Sequence, residues 1–162
     1  MLTVDIAALK PTQLATLTPG TVFLHGRYSG QRLAVALERE GTQVLWLNLS
    51  GERKFVLEAN ERGGMAVFPL LSNPGSLRLR IAPDSVCDPN GDYVPGHLLV
   101  SDDGPAIACR WGNDPNWDYR NVATLKTWTH TRAENPRFRF TKWTLGYADD
   151  AGKWNEVIAV GE

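Results

Sequence analysis

From Thr21 onward, apolar and polar residues alternate in short runs of period two. Leu33, Val35 and Leu37 fall on one side of a run, and Leu45, Leu47 and Leu49 on one side of the next, with Val44, Trp46 and Asn48 opposite. Successive side chains of a strand point to opposite faces, so each run reads as a strand with one core face. Leu77, Leu79 and Ile81 alternate with Arg78 and Arg80, giving a dry side and a wet side. Gly-containing turns at Ser29-Gly30, Glu40-Gly41, Ser50-Gly51 and Gly63-Gly64 recur about every ten residues, the spacing of a β-meander in a sandwich or barrel. The runs Leu98-Val100 and Ala106-Cys109 flank Asp102-Asp103-Gly104 and predict a hairpin, as do the last two strands around Asp149-Asp150-Ala151-Gly152. Two late strands are expected over residues 121–130 and 137–147.

The first twenty residues carry a different pattern. Asp5 suits the cap of a short helical turn, Pro11 starts a second, and Leu9, Leu14 and Leu17 share a side. Pro19-Gly20 then stops the segment. The expected fold is all-β: an antiparallel sandwich or barrel of roughly 9–11 short strands, with a short N-terminal helical segment lying over it as a cap. Residues 1–162 read as a single β domain, with an irregular stretch at 83–96 as the candidate subdomain junction.

Length and composition set outer bounds. The 162 residues, 43% hydrophobic and 22% charged, are enough for a hydrophobic core without covalent staples. A net charge of −1 gives no overall field toward nucleic acid or a membrane. No run reaches the ~20 apolar residues of a spanning helix. Met1-Leu2-Thr3-Val4-Asp5 lacks the basic start of a secretory signal, so the expectation is a cytoplasmic protein without membrane association, with Cys87 and Cys109 as buried, reduced thiols.

Candidate chemistry is sparse. The sequence holds no phosphate-binding Gly-rich loop, nucleophile elbow or HExxH zinc motif, and His25, His97 and His130 lie far apart. No cofactor is expected. The most informative stretch is Arg110 to Arg120, a polar segment interleaved with aromatics. Trp111, Asp114, Trp117, Asp118, Tyr119 and Arg120 are the candidate ligand-binding residues. Aromatic faces flanked by amides and carboxylates suit a sugar ring, which offers C–H faces to stack on and hydroxyls to hydrogen-bond. The bland alternative has Trp111 and Trp117 turned inward as plugs.

Two other groupings compete. Asp88, Asp92, His97, Asp102 and Asp103 would serve a small metal-dependent hydrolase, although Asp88-Pro89-Asn90-Gly91-Asp92 departs from the calcium-loop register. Arg120, Lys126, Arg132, Arg137, Arg139 and Lys142 would serve a binder of single-stranded nucleic acid or of an acidic protein. Arginines 137 and 139 alternate with Phe138 and Phe140, which favours a core face and a solvated face over a stacking platform. The expected function is therefore non-catalytic: a β module whose 110–120 loop binds a small molecule, a carbohydrate foremost, or a protein partner.

Overall fold

The computed structural model describes the chain except residues 1–4, 6, 8, 27–30, 62–63, 72–76, 92–93, 113–119, 124–127, 132–134 and 162, and except the side chains of residues 31, 120, 121, 123 and 131. The protein is all-β. The first part of the chain forms β1 (Thr12–Gln13), β2 (Val22–Gly26), β3 (Gln31–Ala36), β4 (Val44–Asn48), β5 (Val56–Asn60), β6 (Ala66–Leu71) and β7 (Arg78–Ile81). The second part forms β8 (Val86–Cys87), β9 (Leu98–Ser101), β10 (Gly104–Trp111), β11 (Arg120–Ala123), β12 (Thr129–Thr131), β13 (Phe138–Phe140), β14 (Trp143–Ala148) and β15 (Trp154–Val160).

Twelve strands make one large sheet in the order β1-β6-β2-β3-β4-β5-β10-β9-β13-β8, with β11 and β12 branching from β10. The sheet does not close into a barrel. It is mixed, because the end of β10 runs parallel to β5, Arg110 opposite Val56 and Trp111 opposite Leu57. The strand order β15-β14-β7 makes a small antiparallel second sheet. The fifteen strands among the described residues exceed the expected number because two of the long runs divide and because two-residue strands, β1 and β8, form in the segments read as helical and irregular. Residues 121–130 give β11 and β12, which pair with each other. The run 137–147 changes sheets between Phe140 and Trp143. Ser85 fixes that corner: its carbonyl accepts from the Thr141 amide, and its hydroxyl accepts from the Lys142 amide.

The main core lies between the sheets and draws on residues from Val22 to Ile158. Leu45, Leu47 and Leu49 are fully buried there, as the alternation predicts. The opposite side of β4 is buried too. Val44 and Trp46 join Phe23, Ala34, Ala36 and Val67 in a second cluster, closed over by Leu14 of the N-terminal segment. That segment thus caps the sheet, but among its described residues not as an α-helix; part of the turn expected at residues 5–9 lies outside them. Thr12 and Gln13 pair with β6, the Leu14 amide donates to the Met65 carbonyl, and only a 3-10 turn follows at Leu14–Thr16. Backbone partners on a neighbouring strand outweigh weak local helix propensity here.

Two readings of side-chain placement are corrected. Phe138 is not a core residue but 52% exposed, because β13 is short and only Phe140 reaches the core. Both cysteines are free, but only Cys109 is buried; Cys87 is half-buried near the sheet edge. No helix among the described residues is long and apolar enough to cross a membrane.

Candidate functional site

Trp111 ends β10 where the strand leaves the sheet. Its backbone is fixed by the parallel register with Leu57, and the Gly112 amide donates to the Leu57 carbonyl at 2.8 Å. Gly112 then takes a left-handed conformation, φ 50°, which glycine adopts without steric cost. The Trp111 ring is half-buried, packs against the main core, and sits 6.1 Å from the His130 ring on β12. His130 Nε2 lies 3.1 Å from Glu40 Oε2, with Glu40 largely exposed and His130 mostly covered. Trp128, just before β12, ties that strand to the β3–β4 connection: its carbonyl accepts from the Glu38 amide at 2.7 Å. An indole, an imidazole and a carboxylate therefore stand together at the root of the 110–120 crossing. Asp114, Trp117, Asp118 and Tyr119 lie outside the described residues, as does the side chain of Arg120, whose backbone opens β11.

The acidic and histidine grouping is not brought together. Asp102 is engaged by Arg137 through both carboxylate oxygens, at 2.6 and 2.8 Å. Asp88 accepts from the Asn90 amide as a local turn cap, Asp103 sits in the β9–β10 turn, and Asp92 lies outside the described residues. Burial, with the charge of Arg139 second, holds the His97 imidazole below its ordinary value. Among the described residues no three His, Cys, Asp or Glu side chains gather to hold a metal.

The basic strands also separate. Arg137 is spent on Asp102, whereas Arg139 is half-buried with Nε 3.0 Å from Cys87 Sγ, so its face is not simply solvated. Lys142 is exposed and belongs to the small sheet's corner. Lys126 and Arg132 lie outside the described residues.

One polar constellation has no motif in the sequence. His25 on β2 and Asn48 on β4 face the second core, next to Phe23 and Trp46. The Asn48 amide nitrogen donates to the Val56 carbonyl at 3.2 Å and to Glu58 Oε2 at 3.0 Å, so its oxygen must accept from His25 Nε2 at 2.8 Å. That fixes the tautomer: Nε2 carries the proton and Nδ1 presents a lone pair, which has no partner among the described residues. Glu58 in turn pairs with Arg53. Burial keeps the imidazole neutral by lowering its affinity for a second proton, against the opposing pull of Asn48 and Glu58. The available signal was polar residues at core parity in β2 and β4. Their pairing across 23 residues of sequence had none.

No protein-family model matches the chain, and comparison with curated proteins and with solved structures likewise gives no match.

Proposed function

We propose that the protein is a non-catalytic ligand-binding β module that holds a small molecule, a carbohydrate foremost, at the 110–120 crossing. One observation carries the reading: Trp111 stands half-buried at the root of the crossing, on a rigid strand end, beside the His130–Glu40 pair. A fixed indole with part of its surface outside offers a stacking plane. The imidazole–carboxylate pair offers hydrogen-bonding groups for hydroxyls at its edge. Loops carried on a rigid β scaffold are where such sites are built. The crossing brings a further Trp, a Tyr and two Asp to the same place in sequence.

Intrinsic tryptophan fluorescence titrated with mono- and oligosaccharides, mononucleotides and oligonucleotides tests this. A saturable response to a sugar, insensitive to salt, supports the reading. A response to oligonucleotides that weakens steeply with salt would contradict it and favour the basic strands.

A further inference from the structure

The small sheet carries a feature the 110–120 crossing does not explain. Leu79, Leu145 and Ile158 lie opposite one another across β7, β14 and β15 and pack on the main core. The alternate positions therefore form the outer face. There Arg80, Thr144 and Ala159 stand in one row, and Arg78 and Glu156 both lie opposite Gly146. Lys142 precedes this row at the same parity. The middle of the face is built from small side chains between long ones. It opens into a cleft of about 360 Å³, within the size range of small-ligand sites. Ala82 and Ala159 give the cleft a small apolar floor, while Ile81, Trp143 and Val160 border it from the inward-facing row, and Gly161 cannot be enlarged, because a Cβ there would run into the Thr141 carbonyl.

Charge on this face is unbalanced. Arg78, Arg80 and Lys142 are exposed, against the one carboxylate of Glu156. Among the described residues neither Arg80 nor Lys142 has a carboxylate within ion-pair distance. Arg80 is held in place, its guanidinium carbon 3.8 Å from the centre of the Trp154 ring, and that ring lies over Gly146. A stacked arginine keeps its in-plane N–H donors available, and such a fork matches carboxylate and phosphate geometry.

We infer that this cleft is a second binding site, for a small organic anion: a carboxylate or phosphate monoester whose apolar body lies over Ala82 and Ala159 while its charged end meets Arg80 and Lys142. Thr144 and Glu156 are placed to hydrogen-bond a hydroxyl or amine on the same ligand. The site is independent of the 110–120 reading.

Backbone amide NMR shifts of the full-length protein test it, with 1-naphthyl phosphate, 1-naphthoate and neutral 1-naphthalenemethanol as probes. The expected result is saturable movement of the Arg80, Thr144 and Ala159 amides with at least one anion, and at least tenfold weaker binding of the neutral probe. Binding of only the phosphate or only the carboxylate assigns the anion class within the proposal. Lys142→Gln should weaken anion binding severalfold by removing charge. Ala159→Leu, on the outer face, should abolish it by filling the cleft, with the remaining amide spectrum unchanged. No movement at these amides up to millimolar probe, movement confined to other surfaces, equal binding of the neutral probe, or full binding by both variants would overturn the assignment.

Discussion

The Nε2 atom of His25 lies 2.8 Å from Oδ1 of Asn48, in a second face of the sheet of the kind that antiparallel sheets commonly leave to solvent but this chain buries. Asn48 is the node: it accepts from His25 and donates to Val56 and Glu58. Replacing it by Ala strands a buried imidazole N–H and a buried carbonyl. Asn48→Ala is expected to cost about 3 kcal/mol in urea unfolding, and Glu58→Gln, which keeps an acceptor for the Asn48 amide, about 1 kcal/mol or less.

The same histidine predicts a pH dependence. His25 and His97 both have lowered proton affinity in the folded protein, with burial the largest cause for each. Unfolded, they titrate near the ordinary 6.5. Below that value the unfolded chain binds more protons than the folded one, so stability is full above it and falls as pH drops toward the lowered folded values. Unfolding free energy should thus decrease from about pH 7.5 to about pH 5.5, and the double variant His25→Gln/His97→Gln should show a flatter profile over that window.

Phe55 takes a left-handed backbone conformation, φ 61°, in order to turn its ring into the core against Trp143 and Gly96. Gly96, at φ 95°, is pinned by its amide on the Ala108 carbonyl and by the Trp143 indole on its own carbonyl. A Cβ there would fall into the Phe55 ring. Gly96→Ala therefore meets both an unfavourable conformation and a clash, and should lower stability by about 2–4 kcal/mol in thermal or urea unfolding.

Arginines 137 and 139, neighbours at the same strand parity, should behave differently. The Arg137–Asp102 pair is exposed on both sides, 65% and 76%, so Arg137→Ala should change stability by less than about 1 kcal/mol. Arg139 covers Cys87 and packs on Gly91, so Arg139→Ala should cost about 1–3 kcal/mol and speed the reaction of Cys87 with a disulfide reagent. Equal effects of the two substitutions would contradict this packing.

Much of this architecture was legible because burial at period two is local. Leu33, Val35, Leu37, Leu45, Leu47 and Leu49 announce their face by spacing alone, and Arg78 and Arg80 announce a wet one. What stayed hidden depends on contacts between distant segments. The parallel meeting of β10 with β5, the turn of chain at Ser85 that divides Phe140 from Trp143, and the His25–Asn48 contact have no local periodicity. The N-terminal segment shows the same limit, since Leu14 and Leu17 fit a helical side and a strand-and-turn cap equally well. Of the candidate site, Trp111 was legible as an aromatic at a strand end. Its contact with His130 was not, because β12 returns to it from 19 residues away.

The most direct test of the ligand-binding account is Trp117→Ala, read by urea unfolding and by sugar titration of the same protein. If the 110–120 crossing is a binding surface, stability should change by less than about 1 kcal/mol while the sugar response falls tenfold or more. A loss of about 3–5 kcal/mol, as for a truncated core aromatic, together with an intact sugar response, would contradict it.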